Sequence, residues 1–210
     1  MTAQSLRRCC GLLTFGVAAL QLFLGFLPLL LLPAGNVPLS WVLHPAWGLL
    51  SELAFILAVL APLVLLGLYV FQATEAGVLG LAGFTMAFIG HLLYSSFQFD
   101  MAVVWPVLAT QAPDLVDFTG AMFRDPMFSF AHFWMGPIHT VGILLFGVAT
   151  FRARVFPRWS AVLFTVGMML SVGILSPPLL LRAAGATLAA VALVAMGAVL
   201  WRGGEWPRAL

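Results

Sequence analysis

Residues 45–98 decide the fold, and they read PAWGLLSELAFILAVLAPLVLLGLYVF, then QATE, then AGVLGLAGFTMAFIGHLLYSSFQ. The stretches 45–71 and 76–98 each exceed the roughly 20 apolar residues that a helix needs to cross a bilayer. Because the connection 72–75 is so short, the two helices must be antiparallel neighbours. The sequence here predicts a membrane-spanning helical hairpin.

Four further apolar stretches flank this hairpin. They run from Gly11 to Pro33, from Met127 to Thr150, from Trp159 to Ser176 and from Ala183 to Trp201. The short connection 151–158 also makes the fourth and fifth helices antiparallel neighbours. We therefore expect an all-α membrane protein with a single transmembrane domain over residues 1–210. It has six transmembrane helices, and helices two to five form a central antiparallel four-helix unit.

The composition supports this class and excludes others. Of the 210 residues, 63% are hydrophobic and only 8% are charged, whereas soluble domains carry roughly 25% charged residues. All nine basic residues are arginines, so a retinal Schiff base and a P-loop nucleotide site both lack their lysine. No basic patch indicates nucleic acid. The lipid bilayer is the partner that the composition predicts.

The arginines predict the orientation of the chain. With alternating helices, two arginines, Arg124 and Arg182, fall on one side of the membrane. The other side carries seven, namely Arg7, Arg8, Arg152, Arg154, Arg158, Arg202 and Arg208. Cytoplasmic loops carry the excess of basic residues. We therefore expect both termini to be cytoplasmic.

Residues 99–126 form the long loop after the third helix. The run from Met101 to Ala112 is apolar but too short to span. After it, Leu115, Phe118 and Met122 recur at helical spacing, which predicts a helix lying at the membrane surface with Trp105 as an interfacial anchor. This outer interfacial segment is either a connector or a lid over a cavity.

Three of the few ionisable residues inside the predicted helices lie at a similar depth. Glu52, His91 and His132 are each about five to seven residues from the outer end of helices two, three and four. A rise of 1.5 Å per residue places them roughly 8–11 Å below the outer surface. His139 lies deeper, and His44 is at the outer mouth. Ionisable groups in membrane helices usually face the bundle interior, so this level is the predicted site.

The helix faces agree with an inward position for His91. The third helix carries a stripe of small residues that lets another helix approach closely, and His91, Tyr94 and Gln98 fall beside it. The stripe consists of Gly80, Gly83, Ala87 and Gly90. On the fourth helix, His132 and His139 share a face.

These residues suggest a cofactor or metal site. His132 and His139 are about 10.5 Å apart along one helix, so a site must combine residues from different helices. His91 and His132 are the expected axial ligands of a haem b. Alternatively, Glu52, His91 and His132 hold a transition metal ion with an open position. Tyr94, Gln98, His139 and His44 are possible additional site residues.

Other functions remain open from the sequence alone. The small size and glycine-rich faces also suit a non-catalytic accessory subunit that binds other membrane subunits. A third alternative is a small transporter or lipid-binding protein that uses the outer cavity, with Glu52 and His139 as a proton relay. Any single one of these polar residues can also be a helix-packing contact.

Two stretches resemble segments of small bacterial multi-pass membrane proteins of uncharacterised function. Residues 146–159, FGVATFRARVFPRW, resemble a loop common in those proteins, and residues 67–83 are similar to the hairpin that precedes it. The resemblance implies a bacterial inner-membrane protein with a cytoplasmic arginine-rich turn. It implies no activity and no catalytic residue.

Overall fold

The computed structural model describes residues 2–33, 38–116, 120–172 and 178–203, with the backbone alone at positions 3, 38, 131 and 132. Of the residues singled out above, Phe118, Ser176, Arg208 and the side chain of His132 lie outside this description. Within the described ranges the chain is helical and contains no strand, which confirms the all-α class. The helices are α1 (Ala3–Leu31), α2 (Pro38–Val42), α3 (Trp47–Phe99), α4 (Trp105–Gln111), α5 (Ala121–Arg124), α6 (Pro126–Ala153), α7 (Arg158–Val172) and α8 (Leu179–Arg202).

Four of the helical stretches are long and apolar enough to cross a membrane. They are Gln4–Leu31, Trp47–Gln111, Pro126–Ala153 and Leu179–Arg202, and α7 is a shorter apolar helix. Large apolar side chains on the outside of these helices, such as Val78, Leu30 and Met127, are 77–84% exposed. Water would disfavour apolar surface on this scale, so the fold is compatible with a membrane location.

The long helix α3 is a hairpin of two arms, a first arm (47–76) and a second arm (78–99). Ser95 Oγ on the second arm donates to the carbonyl oxygen of Ala58 on the first at 2.8 Å. The rings of Tyr69 and Phe84 stack with centroids 4.6 Å apart. Residues 37 positions apart in one straight helix would be roughly 55 Å apart. The chain therefore folds back on itself, as the sequence predicts.

The reversal occurs at Gly77 and not in the expected turn 72–75. Gly77 has φ 56° and ψ −154°, a backbone conformation that is essentially restricted to glycine. Gln72 is fully buried within the first arm, and its Nε2 donates to Thr150 Oγ1 of α6 at 2.9 Å. The expected position of the turn was wrong by a few residues. It was assigned from the polar residues in 72–75, whereas the chain reverses at Gly77 because glycine tolerates a positive φ.

The second arm packs backbone to backbone against α6. A Cβ added to Gly83 would lie 2.3 Å from the backbone nitrogen of Phe146, and one added to Gly142 would lie 2.2 Å from that of Ala87. Residue numbers rise along one helix as they fall along the other, so the two helices are antiparallel. The predicted small-residue stripe therefore forms the close contact between the second arm and α6.

The other half of the bundle is built on α8. Helix α1 runs antiparallel to α8, with Gly11 against Gly197 and Arg8 5.9 Å from the ring centre of Trp201. The start of α1 and the end of α8 thus lie at the same end of the bundle, the Gly77 end. Helix α7 packs more extensively on α8 than on α6. The expected separate unit of helices two to five is therefore not confirmed.

At the opposite end, the α2 end, the described residues 100–116 and 120–124 form a compact cap. A π-helical turn, Asp100–Val104, continues α3 into α4. Trp105 is fully buried against Phe97 and Phe123, so its expected role as an exposed interfacial anchor was wrong. The predicted surface helix over 114–123 is replaced, in its described part, by a 3-10 turn at Pro113–Leu115 and by the short α5.

Candidate functional site

The structure brings His91 together with His139. Both side chains are buried, with 4% and 1% of their surface exposed. Their ring centroids are 4.5 Å apart, at an interplanar angle of 65°. The sequence named both residues but expected His91 to meet His132 instead.

The packing of the second arm on α6 explains this pairing. A Cβ added to Gly90 would lie 2.6 Å from Cα of His139, so His139 lies opposite the residue that precedes His91. His132 is seven residues earlier in α6, roughly 10.5 Å along the helix axis. The depth estimate from helix ends was thus displaced by about two helical turns. The start of α6 at Pro126 is within one residue of the assumed end, whereas the second arm does not stop at Gln98 but continues through a π-helical turn into α4.

The hydrogen bond of His91 determines which of its ring nitrogens is free. Its Nδ1 lies 3.1 Å from the carbonyl oxygen of Ala87. A carbonyl oxygen only accepts, so Nδ1 donates and carries the proton. In the neutral ring, Nε2 then presents a lone pair, as it does in histidines that bind metals or accept a hydrogen bond.

His139 is the most unusual polar side chain of the described protein. Neither of its ring nitrogens has a hydrogen-bond partner among the described residues. The hydroxyl oxygen of the neighbouring Thr140 also lacks a partner among them. Leaving one such buried group unpaired costs about 1–3 kcal/mol. Buried polar groups in native proteins nearly always have a partner. The pair therefore marks a place where the fold retains polar groups at the expense of stability.

The other predicted site residues lie in three different environments. Glu52 is exposed on the outer face of the first arm. His44 is half-buried in the turn before α3, where its Nδ1 accepts the backbone N–H of Ala46 at 3.2 Å. Tyr94 and Gln98 lie on the inner face of the second arm, one and two turns from His91. Together with His91 they line a cavity inside the bundle.

This cavity has a volume of about 170 Å³ and extends from His91 toward the α2 end. It lies between α1, both arms of α3, α7 and α8, so it is separate from the tight contact between the second arm and α6. Most of its wall is apolar. The polar residues in the wall are Gln21, Ser51, His91, Tyr94, Gln98, Ser171 and Arg182.

The polar groups lie at two levels of the cavity. At the floor, His91 and Gln21 also border a smaller apolar space below, and Gln21 Nε2 donates to Ser171 Oγ at 3.3 Å. Nearer the α2 end, Tyr94 lies within hydrogen-bonding reach of the Gln98 side chain and close enough to Arg182 to interact electrostatically. Trp41 and Trp47 line the mouth.

Sequence reasoning missed three of these residues, Gln21, Ser171 and Arg182. The sequence did contain a signal for two of them. Gln21 is an isolated amide in an apolar helix, and Arg182 follows three leucines at the start of α8. Isolated polar residues in membrane helices usually face the protein interior. Ser171 carries no such signal, because serines commonly satisfy their hydroxyls on their own helix, as Ser171 does on Gly167.

The cavity and the histidine pair can do different chemistry. The cavity offers an apolar surface with a few convergent hydrogen-bonding groups, the usual composition of a small-molecule site. The histidine pair offers ring nitrogens to a metal ion or a proton. Comparisons with protein families, with curated proteins and with solved structures find no match to this chain.

Proposed function

We propose that the chain is an integral membrane protein of six spans in a bacterial inner membrane, with both termini in the cytoplasm. The six spans are α1, the two arms of α3, α6, α7 and α8. The shared end of the first and last helices supports an even number of spans. The arginines near the Gly77 end, such as Arg7, Arg152 and Arg202, support a cytoplasmic position for that end.

Within this membrane protein, we propose that the cavity binds a small amphiphile, as in a lipid-binding protein or a small transporter. One observation carries the proposal, namely the 170 Å³ cavity with polar groups from four helices in an otherwise apolar wall. A purely structural packing defect would leave an apolar void. Polar side chains that converge on the void from separate helices indicate a ligand with at least one polar group.

A cavity-filling substitution tests this function. Ala54 lines the cavity, whereas Ala82 is exposed on the outer face of the second arm. The experiment is mass spectrometry of small molecules that co-purify with Ala54→Trp and with Ala82→Trp in nanodiscs. We expect Ala54→Trp to lose a ligand that wild type and Ala82→Trp retain. Equal retention in both variants, or no ligand in wild type, would contradict the proposal.

A transition metal ion bound by His91 and His139 is the second candidate. The unpartnered nitrogens of His139 favour it, as does the ring distance. Metal–nitrogen bonds of about 2.0–2.1 Å put the centroids of two adjacent imidazole ligands roughly 4.5–5.2 Å apart, and the observed distance is 4.5 Å. Among the described residues no group of three or more His, Cys, Asp or Glu side chains joins them, so water or an external ligand would complete the coordination.

Metal analysis and absorbance spectroscopy test this candidate and the haem prediction together. The contact between His91 and His139 leaves no gap for a porphyrin between these two rings. A haem b held by His91 and His132, or a metal held by Glu52, His91 and His132, remains a prediction. Stoichiometric metal that His139→Gln abolishes and His44→Gln preserves would support the His91–His139 site. Retention of the metal in His139→Gln would exclude it. A Soret band that is lost in His91→Ala and in His132→Ala, but is kept in His139→Gln and His44→Ala, would favour the haem.

An accessory role in a larger membrane complex also remains a prediction. It expects stable co-purification with other membrane subunits. A monodisperse protein that binds its ligand alone would count against it.

A further inference from the structure

Among the residues that the structure describes, Arg182 is the one charged residue that lines the cavity, and none of the described carboxylates lines it. It lies in the first turn of α8, in the apolar sequence Leu-Leu-Leu-Arg-Ala-Ala. Its side chain is exposed at the α2 end of the cavity, where a guanidinium offers a positive charge and N–H donors to an anion. The charge of this cavity is therefore complementary to an anion.

Two uncharged groups on a different helix add to the same region. Tyr94 and Gln98 line the same cavity from the second arm, and Tyr94 is close enough to Arg182 to interact with it electrostatically. A phenol hydroxyl, an amide NH₂ and a guanidinium all donate hydrogen bonds. Donors that converge from two helices suit a carboxylate or phosphate better than a neutral polar group, because charge-assisted hydrogen bonds are about twice as strong.

The remaining wall and the volume determine the rest of the ligand. Leu24, Leu57 and Met168 line the cavity between Arg182 and the His91 floor. A volume of about 170 Å³ is close to the roughly 150 Å³ of an apolar cavity that binds one benzene molecule. It therefore holds a hydrocarbon stretch of about six to eight carbons, not a whole phospholipid.

We propose that the ligand is a single-chain amphiphile with an anionic carboxylate or phosphate head. Arg182, Tyr94 and Gln98 bind the head, and the chain extends toward His91 and Gln21. This inference rests on the proposed function, because it names the class of ligand that the same cavity takes.

The test compares an acid with the alcohol of the same length. Trp41 and Trp47 line the mouth of the cavity, so 2-bromooctanoate and 2-bromooctan-1-ol, which carry the bromine beside the head group, should quench their fluorescence when bound. The protein is measured in phosphatidylcholine nanodiscs, and quenching from partitioning into empty nanodiscs is subtracted. We expect Arg182→Gln to weaken binding of the acid about tenfold or more and to leave the alcohol unchanged. The matched control is Arg202→Gln, at the other end of the same helix.

Each outcome separates this inference from the proposed function. Equal affinity for the acid in Arg182→Gln and Arg202→Gln would overturn the anionic head. If Ala54→Trp still abolished the binding, the cavity function would stand. Saturable quenching by neither probe would overturn both. Displacement of the acid by acetate or inorganic phosphate at equal concentration would mean a site for free small anions, and would also overturn the inference.

A second variant keeps the test decisive if Arg182→Gln does not fold. Tyr94→Phe removes one donor and keeps the ring, so it should weaken the acid about fivefold and leave the alcohol unchanged. Arg182→Lys keeps the charge and should retain most of the affinity for the acid. Loss of both probes to the same extent in Tyr94→Phe would contradict a role in head-group binding.

Discussion

The second arm of α3 takes part in two very different contacts. On one side, Gly83 and Gly90 meet α6 so closely that no added Cβ fits, and Ala87 lies against Gly142 of α6. On the side that faces α1, α7 and α8, His91, Tyr94 and Gln98 line a cavity. A stripe of small residues closes a helix interface, whereas larger polar residues on the next face hold the neighbouring helices apart. Tight packing on one face thus fixes the position of the cavity-lining residues on the other.

The largest expected effect comes from adding one methyl group to the closed contact. Gly83→Ala would place a Cβ 2.3 Å from the backbone of Phe146, and the helices must separate to accept it. We expect the free energy of unfolding to fall by about 1–3 kcal/mol. Unfolding by sodium dodecyl sulfate, followed by circular dichroism, measures it.

Gly16→Ala is the matched control for this substitution. Gly16 is exposed on α1, and a Cβ there meets nothing within 4 Å. Its stability should stay the same or rise by up to about 1 kcal/mol through helix propensity. Equal effects of the two substitutions would mean that the second arm and α6 do not approach as closely as described.

A comparable effect should follow from substitution of the hinge that brings the two arms together. Gly77→Ala forces a side chain into a backbone conformation with φ 56°, and should lower the stability by about 1–3 kcal/mol. The space around Gly77 is open, so the loss would come from backbone strain and not from a clash. Unchanged stability would argue that the chain reverses elsewhere. Gly48→Ala, in open space within α3, serves as the control.

A smaller effect of the opposite sign is expected at the histidine pair. His139→Phe removes two buried nitrogens that lack partners among the described residues and keeps an aromatic ring beside His91. The ligand-free protein should gain about 1 kcal/mol in stability. A loss of more than about 1 kcal/mol would indicate that the imidazole has a partner in the folded protein, and metal content would then be measured on the same samples.

The smallest effect is expected on the open face. Ala54→Leu adds three carbon atoms to a residue that lines the cavity, so it fills space and displaces no neighbour. We expect the stability to change by less than about 1 kcal/mol while ligand binding weakens. A destabilisation as large as that of Gly83→Ala would show that the cavity is closed and would remove the contrast between the two faces.

Physical periodicity explains which features were predictable from the sequence. The helical class, the hairpin over 45–98 and the stripe from Gly80 to Gly90 follow from apolar length and from the spacing of small residues, which depend on one helix at a time. The inward position of His91 follows from the same stripe. The partner of His91 depends instead on the axial offset between two helices, which backbone contact at Gly83 and Gly90 determines. A shift of two turns was enough to exchange His132 for His139.

The set of helices that line the cavity could not be predicted from the sequence, for a related reason. Gln21, Ser171 and Arg182 belong to helices far apart in the sequence, and they meet only because α1, α7 and α8 pack together against the hairpin. No spacing along the chain encodes that meeting. Trp105 shows the converse error, since its sequence context suits an interface anchor but the cap at the α2 end buries it.

Chemical modification of engineered cysteines tests the central claim most directly, namely that the face beside α1 is an accessible ligand cavity. The background has Cys9 and Cys10 replaced by serine, and one further cysteine is introduced by Ser51→Cys or by Ser160→Cys. Both serines are buried. The hydroxyl of Ser51 donates to the carbonyl oxygen of Trp47, and that of Ser160 donates to the carbonyl oxygen of Pro157. Ser51 lines the cavity. The account predicts that a methanethiosulfonate reagent modifies Ser51→Cys in the folded protein, that octanoate slows this reaction, and that Ser160→Cys stays unmodified. The account would be contradicted if, without ligand, both cysteines resisted the reagent equally, or if octanoate did not change the rate at which Ser51→Cys is modified.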